Sequence, residues 1–481
     1  MAGNSKDIKT LLAALVITVG VAGGGVYWLL NSPTLKSLIS PSSPGTTPAS
    51  PGTTTASPAS DVASRISSGD KILLSGQTNP SKEAGVLAIA SAAFPAAVQA
   101  FEQSLQSNRN DPETLIYLNN AKIGSATALT IAVSVPIGNN VNLAQEILRG
   151  VAQAQQEINQ AGGIKGTPMR VVIGNDDNDQ AVVKGIATYL VSDPSVVAVV
   201  GHNSSDASLA AAPIYQAGGL VMISPTATTK ELSGFGSYIY RTSLSAPFQA
   251  NALSRLAKSR GKTNIGICYS ASSDASKSLK EEFTEAAYGD GAKISRVDCN
   301  LSAPGFNAET LVSTMLGEGV DALLLNPGVD DIERSLDVAK ASQGRLLLLS
   351  DSTLYTIKTL EIGKADVIGM VLTVPWHPQA RDQRTFAEDA IKLWGGNVNW
   401  RSATSYDAVQ AIAAGLGSNP TRAGLQQALA NPDFVAEGAT GTIQFQPSGD
   451  RITTPLFVTV EPSANSASGY TFTPIAANAQ P

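Results

Sequence analysis

Apolar residues along this chain fall into short dense runs separated by longer stretches of mixed polarity. LTIAVSV (129–135), MRVVIG (169–174), VVAVVG (196–201) and GLVMIS (219–224) read as strands buried on both faces, because each run is nearly continuous rather than alternating. Helical patterns near 142–161, 178–190 and 206–216 fill the gaps between them. Strand and helix in strict alternation predict parallel pairing with right-handed crossovers. After Arg241-Thr242 the series restarts, with strands in NIGICYS, AKISRVDC, VDALLLN, GRLLLLS and VIGMVLT and helices near 274–288, 307–318 and 329–342. Two such series predict two α/β, Rossmann-like lobes, each built on a parallel central sheet. Helices near 379–394, 403–416 and 420–430 follow, then β-rich GTIQFQ and PLFVTV.

The first 124 residues carry other patterns. Lys6 and Lys9 precede Leu11 to Leu30, about twenty uncharged and mainly apolar residues closed by Tyr27-Trp28, a length that spans a bilayer. Residues 1–31 therefore read as an uncleaved signal anchor, with the lysines on the cytoplasmic side and the bulk of the chain outside. Residues 32–60, rich in Pro, Ser, Thr and Gly, lack the apolar surface to fold and read as an extended linker. In 61–124, Phe94, Ala97, Phe101 and Leu105 recur at helical spacing, and Leu115, Tyr117 and Leu118 resume it after Asn108 to Glu113. This segment resembles one tetratricopeptide helix pair. A single such unit cannot bury both faces alone, so it must pack on an upstream helix near 61–75, on the lobes, or on a partner.

Composition narrows the function. A formal net charge of −6, with 33 basic and 39 acidic residues and no basic patch interleaved with aromatics, excludes nucleic acid as a partner. His202 and His377 are the only histidines, and with two cysteines lacking ligand spacing they offer no zinc site. No cofactor is expected. The G-x-S-x-G, H-E-x-x-H and P-loop patterns of hydrolases, metalloproteases and nucleotide-binding enzymes do not occur, which argues against an enzyme.

The most informative stretch is Gly201 to Leu232. Its first strand stops in Asn203-Ser204-Ser205-Asp206, N-cap residues that open a helix, and its second ends in Pro225-Thr226-Ala227-Thr228-Thr229. Two hydroxyl-rich turns thus lie at the carboxyl ends of successive strands, where helix N-termini hold small anions such as a carboxylate.

From about Leu129 to Phe472 the chain resembles the branched-chain amino acid (Leu/Ile/Val) binding proteins of ABC transporters, with the type I periplasmic-binding fold. The resemblance is carried by Gly150 through Gly166 (G-x-x-x-A-x-x-x-I-N-x-x-G-G-I-x-G), Asp176-Asp177, Met222-Ile223-Ser224-Pro225 with Ala227-Thr228, and Tyr240-Arg241-Thr242. It implies a periplasmic-binding domain over 128–474, with one lobe at about 128–243 and 375–450 and the other at about 244–374 and 451–474. The chain then crosses a hinge three times, near Ser243, Pro375 and Arg451, and the lobes close on a ligand. An extracytoplasmic solute-binding protein that hands a small ligand, an amino acid, to ABC permease subunits is the function implied. The other reading is a membrane-tethered sensor signalling to a partner protein.

The resemblance also implies ligand contacts. Ser205 takes the α-carboxylate through hydroxyl and N–H, Thr226 contributes its carbonyl, and Thr228 its hydroxyl and N–H. Asp351, ending GRLLLLSD, takes the α-ammonium, although an ungapped register puts Ser352 there. Each has a plain structural alternative: Ser205 and Asp206 are N-cap residues, Thr228 is a turn hydroxyl, Asp351 caps the helix that follows, and His202 is a neighbour of the site. Leu143 stands where relatives often have an aromatic, and Asp274 where they often have a tyrosine. Asp274 is either a helix N-cap or, with Asp330 or Asp331, an acceptor for a polar or cationic ligand side chain. Cys268 and Cys299 fall on neighbouring parallel strands of the second lobe and are either a disulfide or two buried thiols.

Overall fold

The computed structural model describes residues 58–380 and 384–476. The expected anchor and most of the expected linker lie outside the described residues. Among the described residues, no helix is long and apolar enough to cross a membrane.

The first sheet contains β1 (Ile66–Ser67), β2 (Leu129–Val135), β3 (Met169–Asn175), β4 (Val196–Val200), β5 (Val221–Ser224) and β6 (Ile239–Arg241), in the order β1-β3-β2-β4-β5-β6. All pairs are parallel except β1 with β3. Successive residues point to opposite faces, so each strand feeds two cores. Ile131, Val133, Ile173, Val200 and Ile223 pack beneath the helices Val141–Gln160 and Trp400–Leu416. Ala132, Val199, Met222 and Ile239 pack on the other face with residues of the helices Gln180–Ser192 and Ser205–Ala217.

The second sheet repeats the plan. It comprises β7 (Asn264–Tyr269), β8 (Lys293–Ile294), β9 (Cys299–Asn300), β10 (Ala322–Asn326), β11 (Leu347–Ser350), β12 (Val371–Val374), β15 (Leu456–Pro462) and β16 (Tyr470–Pro474). The order is β16-β15-β12-β11-β10-β7-β8, with β9 also paired to β7, and only β15 and β16 run antiparallel to their neighbours. A small hairpin, β13 (Ala436–Gly438) and β14 (Gly441–Ile443), stands apart. The single strand expected in AKISRVDC is two short ones, interrupted at 295–298. β9 sets Cys299 directly opposite Cys268, and the two are bonded as a disulfide with their Cα atoms 4.5 Å apart.

The chain passes between the sheets after β6, after β12 and before β15. Buried ion pairs tie down two of these passages. Arg241 donates from Nε to Asp450 Oδ1 at 2.5 Å and from Nη1 to the Thr229 carbonyl at 2.6 Å, while Arg451 pairs with Asp407. Burial pulls the Arg241 pKa below its ordinary value, and the Asp450 carboxylate opposes that shift.

The helical segment before β2 is part of the first lobe. The expected helix near 61–75 is instead a short helix, Pro58–Ser64, followed by β1. The helices Pro80–Ala90, Phe94–Ser107 and Pro112–Ile123 then place Ala97, Phe101, Leu115 and Ile116 in the same core as Ile147 and Val151. Asn120 donates to the carbonyl and accepts from the N–H of Val171, and so joins this segment to β3. Inside it, Lys82 is fully buried between Asp111 and Glu113 at 2.8 and 2.7 Å, so the charge is compensated where it is desolvated.

Candidate functional site

Both sheets are doubly wound about the first strand of their parallel series, β2 or β7, which has β3 and β4 on its two sides in one sheet and β8 and β10 in the other. The carboxyl ends of such strands open a crevice. Here the two crevices face each other across a cavity of about 390 Å³, lined from the first lobe, from the second lobe and from the start of the helix Trp400–Leu416. That volume suits a small molecule.

The first wall is made by the turns after β4 and β5. Ser204 caps the helix Ser205–Ala217, its Oγ accepting from the Ala207 N–H at 3.0 Å, so Ser205 occupies the first helical position. Ser205 Oγ accepts from the N–H groups of Thr228 and Thr229, each at 3.2 Å, which leaves its hydroxyl proton to be donated elsewhere. Thr226 is pinned by donation to the Asn203 carbonyl at 2.6 Å. Ser205, Thr226 and Thr228 all line the cavity, each nearly buried. The Thr228 N–H assigned to a ligand in the sequence reading is already used by Ser205, so its hydroxyl is what it offers. Behind this wall His202 is fully buried, with Nδ1 2.7 Å from Asp176 and Nε2 3.1 Å from the Tyr215 hydroxyl, and it does not reach the cavity.

On the second wall two residues left open between a local and a ligand role turn to the local one. Asp351 ends β11 but turns back on the following turn, accepting from the Thr353 N–H at 2.9 Å and its hydroxyl at 3.1 Å. It is buried off the cavity, and Ser352 and Thr353 line the wall instead. Burial pushes the Asp351 carboxyl above the usual range, opposed by its bonds to Thr353 and by the charge of Arg401. A short polar side chain at the start of a turn is satisfied locally, and that local bond outcompetes a reach into the cleft. Asp274 is likewise withdrawn. Ser273 is the N-cap, and Asp274, the first helical residue, pairs with Lys277 at 2.5 Å. Asp330 and Asp331 do line the cavity, and Asp331 accepts from Ser270.

Leu143 lies on the third wall, in the first turn of the helix Val141–Gln160. Beside it stand Trp400 and Arg401, which sequence reasoning missed because the helix was expected to begin near 403. The missed signal is Asn399, whose side chain accepts from the Arg401 N–H at 2.8 Å and starts the helix one turn earlier. Arg401 is only 7% exposed, its guanidinium carbon lies 4.4 Å from the Trp400 ring centroid, and its Nε has no hydrogen-bond partner among the described residues.

The rim carries a further cation. Asp177, also on the cavity, is paired with Arg65 at 2.7 Å, so the short segment before β1 neutralises one of the site's carboxylates. Among the described residues no group of three or more His, Cys, Asp or Glu side chains is placed to hold a metal ion.

The family profile described as "Periplasmic binding protein" matches residues 122–463. The Leu/Ile/Val-binding protein of Escherichia coli (strain K12) is 24% identical over 283 residues, 56% of this chain and 74% of that protein. Among solved structures, an ABC transporter substrate-binding protein from Desulfitobacterium hafniense in complex with Leu has a TM-score of 0.62 and 24% identity, covering 72% of this chain and 100% of that one. A solute-binding protein of an ABC transporter from Rhodopseudomonas palustris BisB5, in complex with 3,4-dihydroxybenzoic acid, has a TM-score of 0.62 and 17% identity, covering 73% of this chain and 96% of that one. With two doubly wound lobes facing a shared cavity and the family profile matching most of its length, this chain belongs to the periplasmic binding protein family, whose members are extracytoplasmic solute-binding proteins rather than enzymes.

Proposed function

We propose that the protein captures a small carboxylate-bearing ligand of the amino-acid type between its two lobes and presents it to the permease of an ABC transporter. One observation carries the reading: the Ser205 hydroxyl sits on the cavity at the first position of a thirteen-residue helix, where it accepts from two backbone N–H groups and keeps its own proton to donate to a ligand. A carboxylate there receives a hydroxyl bond and the positive end of the helix dipole. Thr226 and Thr228 complete that wall, and Asp331 offers a carboxylate to a ligand ammonium. The relatives named above that bind Leu, Ile or Val support an amino acid, but fold likeness does not fix the side chain.

In this reading Leu11–Leu30 tethers the protein to the outer face of the cytoplasmic membrane, and 32–60 spaces the lobes from it. The tetratricopeptide-like helices serve as packing for the first lobe, since their apolar residues are used there. A thermal-shift screen of the full-length protein in detergent micelles, against the twenty amino acids and short organic acids, tests the capture. Ligand at a hundred times its Kd stabilises the native state by about 2.7 kcal/mol and raises Tm by several degrees. The expected result is at least one such hit that Ser205→Ala removes. No hit, or a hit indifferent to Ser205→Ala, overturns the reading.

A further inference from the structure

Arg401 is a buried guanidinium without a counter-ion in contact. It forms no salt bridge among the described residues, and its Nε lacks a hydrogen-bond partner. The two carboxylates nearest in charge are Glu146 and Asp351, and both are committed to other donors. Glu146 accepts from Arg149, from Ser402 Oγ at 2.6 Å and from the Asn399 N–H at 3.2 Å, and Asp351 is held by Thr353. Desolvation lowers the Arg401 pKa to about 10, opposed by those two carboxylates, so it stays charged at neutral pH. A desolvated charge without a partner is costly, and one aimed into a ligand cavity is satisfied when an anion enters.

The backbone adds to this demand. Arg401 is the second residue of the seventeen-residue helix Trp400–Leu416, and it lines the cavity together with Trp400, so the positive end of the helix dipole lies close to the guanidinium. The Trp400 ring lies against one face of the guanidinium, and the N–H edge of a guanidinium suits a planar, bidentate acceptor. The cavity therefore has two anion-seeking walls, one at Ser205 and one at Arg401, on different elements.

We propose that the ligand is a small dicarboxylic acid, an acidic α-amino acid or a plain short dicarboxylate, whose second carboxylate docks on Arg401. This deepens the capture reading and rests on it. Of the carboxylates near the cavity, Asp274 is turned onto Lys277 and Asp177 onto Arg65. Asp330 and Asp331 remain on the cavity to meet an ammonium.

Calorimetric titration of the full-length protein in micelles with aspartate, glutamate, succinate, glutarate, leucine and glutamine tests it. At least one dicarboxylate binds more tightly than any neutral amino acid. Arg401→Met weakens that ligand by about 30-fold or more, Arg401→Lys recovers part of the loss, and neutral amino acids respond to neither. Binding of aspartate or glutamate alone assigns an acidic amino acid, whereas equal binding of succinate or glutarate assigns a dicarboxylate without an ammonium. The wild-type ranking needs no variant, so a misfolded Arg401→Met leaves the test intact. Neutral amino acids binding as tightly as dicarboxylates overturn the inference while leaving capture standing, and so does an equal loss for every ligand in Arg401→Met, which would make Arg401 a bridge between lobes. Binding of no compound, or binding indifferent to Ser205→Ala, overturns capture and this inference together.

Discussion

Asp206 is a residue through which the two lobes touch. It lies in the first turn of the helix Ser205–Ala217, and its Oδ1 accepts from the Asp274 N–H of the other lobe at 3.4 Å. Burial first, and the Asp274 carboxylate second, raise its pKa above the ordinary aspartate range. A carboxyl whose pKa is higher in the closed arrangement binds a proton more tightly there, so closure gains as the pH falls from neutrality towards that raised value. Above it, two facing carboxylates oppose closure; below the ordinary value of about 3.9, both states are protonated and the gain is complete. Ligand affinity measured by titration from pH 7 downward is therefore predicted to rise on mild acidification in the wild type and to flatten in Asp206→Asn. Parallel profiles for the two proteins would refute the coupling. At this scale the sequence was informative for side chains whose place follows from a strand end, such as Ser205 and Thr228. For Asp351 and Asp274 it offered both a local capping role and a reach into the cleft, and only tertiary packing decides between them. Arg401 was invisible because its importance lies in what it lacks, a partner, and only three-dimensional neighbours show that.

At the scale of elements, the approach of two helices sets the third wall. Gly150 lets Val141–Gln160 and Trp400–Leu416 touch, since a Cβ added there would stand 2.1 Å from the Ser402 carbonyl oxygen. Alanine in place of glycine inside a helix ordinarily gains about 1 kcal/mol. Overlap with a backbone atom at that distance forces the helices apart, and overpacking of this kind costs about 1–3 kcal/mol. The second effect wins, so Gly150→Ala should lower the denaturant midpoint and also weaken ligand binding by moving Arg401. An unchanged or raised midpoint would contradict this close-contact account. The strands were legible because both faces are buried and their runs are continuous. Two things were not: the antiparallel β1, two residues long, is too short to carry a period, and the start of Trp400–Leu416 is set by the Asn399 cap rather than by apolar periodicity.

For the whole molecule, the helical segment before β2 enlarges the first lobe rather than standing beside it. The pattern of residues 94–118 gave its helices, but which of three surfaces they cover depended on contacts such as Asn120 with β3 that no local signal encodes. The tether belongs to this scale as well. A chain lacking 1–31 is predicted to leave the membrane fraction on cell lysis while the full-length protein stays with it; co-fractionation of both with soluble proteins would remove the anchor from the account.

The central claim is that one ligand is held by both lobes at once. Hydrogen–deuterium exchange of the full-length protein, with and without the best-binding compound from the screen, reads this directly. The account predicts simultaneous protection of the turns at 201–206 and 226–229 in one lobe, of 270–275 and 327–331 in the other, and of the helix start at 399–402. Protection confined to a single lobe, or absent from all of these segments, would contradict capture between them.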